Sequence, residues 1–251
     1  MENRNIIYYE EIDSTNTEIQ RLAAQGAAHG TVAVAERQTN GKGRRGRTWE
    51  SQAGNNIYMS VLLRPKMDVN KAPMLTIVMA YSVAKVLKEA GFLDVQIKWP
   101  NDLILSGKKL CGILTEMRLQ AGEIDHIVVG VGVNVNTKEF PKDLLDKATS
   151  LYLESGRMLS KEKLILEVLE EFEDIYAQFL ETGDLSFLQE AYNEMLVNIG
   201  REVEVLEPEN EYTAYAVGMN HIGELIVRTA EGEEKAIFAG EVSVRGIYGY
   251  V

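Results

Sequence analysis

The 251-residue sequence has one cysteine, three histidines, five prolines and two tryptophans. A lone thiol, Cys111, excludes an intrachain disulfide and any thiol-based metal cluster, so nothing calls for an oxidising compartment and the cytoplasm is the expected location. His29, His126 and His221 stand far apart and in no ligand spacing, which argues against a histidine metal site; each is expected at the surface or in a turn. No apolar run reaches the roughly 18 residues of a membrane helix, and the opening MENRNIIYYEEID lacks the apolar centre of a signal peptide. Positive charge is also scarce: 26 Lys and Arg face 38 Asp and Glu, a net charge of −12 that opposes general binding to nucleic acid or anionic membrane. The deficit is uneven. Residues 1–140 are nearly balanced, and the excess acid lies in 141–251. Arg37 to Trp49 runs the other way, with Arg37, Lys42, Arg44, Arg45 and Arg47 and no acidic residue.

Hydrophobic residues make up 45% of the chain, enough for one large domain or one domain plus a small one. A strand is predicted around Ile6–Tyr9. Thr15 followed by Glu18 reads as a T-x-x-E capping box opening a helix that carries Ile19, Leu22 and Ala23. Thr31–Ala35 and Asn56–Leu63 read as strands entering and leaving the basic segment. Met74–Ala90 reads as a helix stopped by Gly91. Val95–Trp99, Leu103–Leu105, Lys109–Arg118 and Glu123–Val135 are apolar runs joined by connections too short for crossover helices, which predicts antiparallel neighbours. A helix from Ser160 to about Phe179 turns Leu164, Val168, Phe172, Ile175 and Phe179 inward, and a shorter one is predicted from Ser186 with an S-x-x-Q box. From about Asn198 come five short strands, Arg201–Leu206, Tyr212–Met219, Glu224–Arg228, Lys235–Phe238 and Glu241–Val244, the texture of a small β-barrel. The expectation is α+β: a mixed, largely antiparallel sheet with flanking helices over 1–196, and a small barrel over 197–251.

Three segments carry chemistry. In the basic one, Gly41-x-Gly43-x-x-Gly46 satisfies a dinucleotide fingerprint and comes within one substitution of a P-loop. Both motifs need a helix behind the last glycine, and here a strand follows. What remains is their shared physics: glycines admit a ligand close to the backbone, and guanidinium groups clamp phosphate or carboxylate oxygens. Four arginines in one loop repel one another, so the segment should settle only around an anion. The bland alternative is a solvated basic loop. The second segment, Lys98-Trp99-Pro100-Asn101-Asp102, sets polar groups at a bend, and Lys109 opens the next apolar strand, where a charge needs an anionic partner. Ordinary hairpin chemistry would explain the bend but not the lysine. In the third, Val131-Gly132-Val133-Asn134-Val135-Asn136, two Asn alternate on one face of a strand, to be satisfied by ligand or by backbone.

Taken together these segments resemble the biotin protein ligases, also called biotin–acetyl-CoA-carboxylase ligases. The family's Arg- and Gly-rich loop is matched by Gly41 to Arg47 with Trp49 behind it, its Lys-Trp-Pro-Asn-Asp by Lys98 to Asp102, its Lys-x-x-Gly-Ile-Leu by Lys109 to Leu114, and its Asp-Ser-Thr-Asn by Asp13 to Asn16. The resemblance spans essentially the whole chain. It implies a class II synthetase-like catalytic fold with an SH3-like C-terminal barrel, and a two-step reaction: biotin and ATP give biotinyl-5′-adenylate, and biotin then passes to a lysine of the biotin carboxyl carrier protein of acetyl-CoA carboxylase. Mg²⁺ would accompany the triphosphate. By position, Ser14, Thr15, Asn16 and Gln38 match biotin-contacting residues; Lys42, Gly43 and Arg44 match the loop that closes over biotin. Lys109 matches the lysine that meets carboxylate and phosphate. Arg44 and Lys109 take the catalytic roles, and Gly41, Arg47, Trp49, Asn101, Asp102 and Asn134 fall to the nucleotide. Cys111 is expected to be a small buried side chain. No DNA and no membrane are expected as partners, and the sequence allows a homodimer.

Lys42 departs from the family's usual Arg and lacks its bidentate capacity. Some members carry an N-terminal DNA-binding domain and act as repressors. Here the Asp-Ser-Thr-Asn motif comes so early that a ligase without repressor activity is expected, and tight binding to a biotin-operon operator would contradict this. Two rival readings are a lipoate ligase, which shares the fold and the acyl-adenylate chemistry, and a nucleic-acid-binding module built on the basic loop and the barrel.

Overall fold

Alternating and continuous runs of Val, Ile and Leu become seven strands of one sheet: β1 (Ile6–Ile12), β2 (Val32–Gln38), β3 (Ile57–Leu63), β4 (Gln96–Lys98), β5 (Asp102–Leu105), β6 (Lys108–Gln120) and β7 (Glu123–Val133). This computed structural model describes residues 5–49, 54–207, 210–238 and 243–246. The strand order is β1-β2-β3-β7-β6-β5-β4. β1 and β2 are parallel, joined through helix α1 (Thr15–Ala24). Every other neighbour in this sheet is antiparallel, as the short connections require.

Helices α2 (Met74–Glu89), α3 (Leu151–Ser155), α4 (Lys161–Thr182) and α5 (Gln189–Met195) follow the chain order. On one side of the sheet Ile127, Val129, Val131 and Val133 join Leu75, Val78 and Met79 of α2 and Val168 and Phe172 of α4 in a single buried cluster. Each such side chain contributes about 1.5–3 kcal/mol by leaving water. The other side has a smaller apolar patch, where Ile19 and Ala23 of α1 meet Ala33, Leu62 and Val128. Ser160 caps α4 by accepting from Lys163 N–H at 3.2 Å, and Gly183, at φ 74°, ends it.

Several local expectations give way. Ser14, not Thr15, stands at the N-cap of α1 and makes no side-chain cap. The Thr15 hydroxyl is turned to Gln38 and Ser60, and Glu18 accepts from Tyr9 and Arg21, so no capping box forms. The S-x-x-Q box also fails: α5 begins at Gln189, whose side chain donates to the Met219 carbonyl, while the Ser186 N–H is held by Asp184. The short α3 had no counterpart in the sequence reading. His126 is instead a buried strand residue, 1% exposed, paired with Arg118 of β6 and with Nδ1 2.7 Å from Asp125.

The C-terminal unit is a five-stranded antiparallel sheet, β8 (Glu202–Glu207), β9 (Asn210–Met219), β10 (Leu225–Arg228), β11 (Glu234–Ile237) and β12 (Ser243–Gly246), in the order β11-β10-β9-β8-β12. Glu241 and Val242, expected in its last strand, lie outside the described residues. Trp99 bolts this unit to the large sheet: its backbone N–H donates to Asn198 Oδ1 and its indole N–H to the Gly223 carbonyl, both at 3.0 Å, in a site only 1% exposed. Among the described residues no helix is long and apolar enough to cross a membrane.

Candidate active site

The start of α1 is built around buried polar atoms. The Thr15 N–H donates to Gln38 Oε1 at 2.8 Å, tying α1 to the end of β2. Ser60, fully buried on β3, has its hydroxyl 2.7 Å from Thr15 Oγ1 and 2.6 Å from Asn16 Oδ1. Asn16 Nδ2 donates to the Leu114 carbonyl at 3.2 Å and to Glu116 Oε2 at 2.7 Å. Both amide protons are therefore directed at β6, and Oδ1 is left as the acceptor facing Ser60. Groups this buried cost free energy unless bonded, and the network satisfies them mutually.

Beside it the sheet is bare. Gly112 of β6 pairs with Gly132 of β7, and Gly130 pairs with Leu114. A Cβ added at Gly132 would stand 2.8 Å from the Trp49 ring, one at Gly112 would stand 2.7 Å from it, and one at Gly130 would collide with the Asn16 amide. The absence of side chains at Gly112 and Gly132 makes a trough in which the half-buried indole of Trp49 lies, its Nε1 without a hydrogen-bond partner among the described residues.

The basic segment folds back as a narrow ribbon over this floor. Lys42 bridges to Thr48, the Gly43 N–H donates to the Arg47 carbonyl at 2.7 Å, and the Trp49 N–H donates to the Gly41 carbonyl at 2.9 Å. Gly43 leaves the ribbon tight: a Cβ there would press against the Arg47 carbonyl at 3.2 Å. Arg44 turns inward and donates to Asn101 Oδ1 at 3.0 Å. Burial, reinforced by repulsion from Arg45 and Arg47 and opposed by Asp102, pulls its guanidinium below the ordinary arginine range, so an anion placed here relieves an electrostatic cost.

The Lys-Trp-Pro-Asn-Asp segment divides its labour. Trp99 faces the C-terminal unit, whereas Asn101 faces the cleft and Asp102 turns to Lys109. Asn101 also donates to the Ile113 carbonyl, fixing Arg44 to β6 through one amide. Lys109 finds its anion in Asp102, Nζ to Oδ1 2.7 Å, and lies 5.2 Å from the centre of the Trp49 ring. Cys111 is buried, and desolvation raises its thiol pKa, which suits an inert core side chain.

These elements line a small cleft that opens to solvent. Ser14, Thr15, Asn16, Gln38, Lys42, Gly43, Arg44 and Lys109 all line it, as do Trp49 and Asn101. Gly41, Arg47, Asp102 and Asn134 do not: Gly41 is buried under the ribbon, Arg47 points to solvent, Asp102 stands behind Lys109, and Asn134 is buried past the end of β7. Asn136 is satisfied by backbone, exchanging two hydrogen bonds with Leu159. Sequence reasoning missed Ser60, Glu116 and the glycine floor. The alternation Gly130-x-Gly132 on one strand face was the signal available for the floor. Among the described residues no group of three or more His, Cys, Asp or Glu could hold a metal ion.

Residues 8–134 match the Biotin/lipoate A/B protein ligase family, and residues 199–245 match the Biotin protein ligase C terminal domain. The chain is 34% identical over 245 residues to the bifunctional ligase/repressor BirA of Bacillus subtilis, covering 96% of this chain and 74% of that protein. It is 30% identical over 239 residues to the biotin–[acetyl-CoA-carboxylase] ligase of Paracoccus denitrificans, covering 93% and 98%. Among solved structures, the biotin protein ligase of Aquifex aeolicus in complex with biotin and ATP superposes with a TM-score of 0.85 at 35% identity, covering 97% of this chain and all of that one.

Proposed function

The chain belongs to the biotin/lipoate A/B protein ligase family, and from that premise we propose that it activates biotin with ATP and transfers it to a lysine of a biotin carboxyl carrier protein. The observation that carries this is the convergence, in one cleft, of a buried Thr15–Asn16–Gln38 network with two inward cations, Arg44 and Lys109. The matched C-terminal domain and the named ligase relatives support biotin over lipoate.

In the first step a biotin carboxylate oxygen attacks the α-phosphorus of ATP, and pyrophosphate leaves. In the second a lysine ε-amine attacks the acyl carbonyl, and AMP leaves. Both substrates of the first step are anions, so the barrier is largely electrostatic, and fixed cations lower it. Asn16 Oδ1 and the Thr15 hydroxyl suit the polar ring of biotin, and the glycine floor gives that ring room. Arg44 and Lys109 then stand where the carboxylate and α-phosphate meet. Lys109 would exchange its contact with Asp102 for the substrate oxygens, leaving Asp102 to hold the lysine in place between turnovers. Trp49 offers a flat face to the nucleotide, and the ribbon of 41–49 keeps water from the mixed anhydride. Gly41, Arg47, Asp102 and Asn134, outside the cleft lining, would act by shaping or closing it. Mg²⁺ fits this reading as part of MgATP, carried by the phosphates, since among the described residues no group of three or more His, Cys, Asp or Glu could hold it. The reading includes a cytoplasmic location, a catalytic unit over 1–196 and an SH3-like C-terminal unit over 197–251.

Incubating a biotin carrier domain with the chain, biotin and MgATP should add one biotin mass to one lysine, and pyrophosphate should appear with biotin but not with lipoate. Turnover with lipoate alone would overturn the proposal.

A further inference from the structure

Glu116 projects from β6 on the same side as Gly112 and Leu114, and its carboxylate touches both halves of the cleft. Oε2 accepts from Asn16 Nδ2 at 2.7 Å, and Oε1 lies 3.8 Å from Lys42 Nζ. Asn16 is rooted in α1 at the closed end, only 4% exposed. Lys42 belongs to the ribbon that roofs the cleft.

An asparagine amide can be held either way round, and the two orientations present opposite chemistry to a ligand. Here the choice is forced. Turning the amide over would set its NH₂ against the Ser60 hydroxyl and its oxygen against two acceptors, the Leu114 carbonyl and the Glu116 carboxylate. The hydrogen bond to the charged partner is the strongest of these contacts. With it in place, Oδ1 receives Ser60 and keeps a second lone pair for an N–H of the bound ring.

We propose that Glu116 is a positioning residue: through Asn16 it fixes the acceptor that reads the ligand ring, and through Lys42 it draws the basic roof over the same ring. Recognition and closure are thereby joined through one carboxylate. This rests on the reading of the cleft as the biotin site.

The test uses the full chain with E116A, E116Q, N16A and the N16A/E116A double variant, with biotin affinity measured by calorimetry and turnover by pyrophosphate release. E116A should weaken biotin binding by about 10-fold or more, the range for losing a hydrogen bond to a charged group, and should raise the biotin KM more than it lowers kcat. E116Q keeps an oxygen for Asn16, the nearer partner, but no charge for Lys42. It should hold biotin affinity within about 3-fold of the native value while bound adenylate escapes faster. In the N16A background, adding E116A should leave biotin affinity almost unchanged. Native affinity in E116A overturns the proposal, and so does full additivity in the double variant. If E116A melts early, E116Q still decides, because an unchanged rate of adenylate escape there overturns the proposal. Failure of the underlying reading looks different, because the native chain itself would then release no pyrophosphate with biotin.

Discussion

Along β7, Ile127, Val129, Val131 and Val133 enter the cluster shared with α2 and α4, while Val128, Gly130 and Gly132 lie on the opposite side, beneath α1, Asn16 and Trp49. One strand thus alternates between large apolar side chains and almost none. On the packed side, free energy comes from filling space. On the bare side the same backbone gives that up, and the room is taken by polar atoms and by the Trp49 indole. If this division is real, substitutions on the two sides should separate stability from activity.

The largest effect is expected on the packed side. Phe172 of α4 is 1% exposed and stacks on Tyr176 with ring centres 5.7 Å apart. Phe172→Ala should cost about 3–5 kcal/mol in denaturant unfolding while leaving the biotin KM of the folded fraction unchanged. A KM that rises with the loss of stability would mean that the two sides are mechanically one.

Next comes Lys109, half-exposed and opposed to Asp102. Lys109→Ala should slow single-turnover adenylate formation by about 10²–10³-fold, the range for removing one donor from a charge-stabilising site. Its melting temperature should move little. Unchanged chemistry with a large thermal shift would reassign Lys109 to the fold.

Gly132→Ala probes the trough directly. Its backbone lies outside the left-handed region, but an added Cβ would stand 2.8 Å from the Trp49 ring, so the indole must shift and stability should be equal or lower. The added methyl would occupy the floor on which Trp49 rests. Biotin affinity should fall by about 10-fold, measured by calorimetry. Native affinity would show that the bare floor is not where the ligand lies.

The packed side was legible in the sequence because period-2 and helical spacing record burial locally, and Leu164 to Phe179 fell inward as their spacing required. The site was legible only where its residues lie close together, as in Gly41–Trp49 and Lys98–Asp102. Ser60 sits inside the apolar run NIYMSVLL, and its partners Thr15 and Asn16 are more than forty residues away, so nothing beside it in the chain marks its role. Glu116 is hidden in the same way within β6. The two failed capping boxes share a cause: Thr15 and Gln189 have the right neighbours for a cap, but distant partners claim their side chains.

The smallest effect lies at the rim of the bare side. Asp13 precedes α1, accepts from the Ser14 N–H at 2.8 Å and is ion-paired with Arg21. The hydrogen bond from Arg21 holds its carboxyl below the usual carboxylate range, with the Ser14 N–H assisting. Because the folded pKa is depressed, the contribution is fully present above the unfolded value near 3.8 and is lost as pH falls through the folded one. Both partners are substantially exposed, so the effect is screened. Asp13→Asn keeps an acceptor for Ser14 and removes the titration. Its melting temperature should lie at most about 2 °C below the native one at pH 7, and the two curves should converge from about pH 4 downward. The pair anchors the turn that carries Ser14, Thr15 and Asn16 into the cleft. Loosening it should therefore raise the biotin KM by less than about 2-fold, and a larger rise would extend the polar network of the bare side out to its exposed rim.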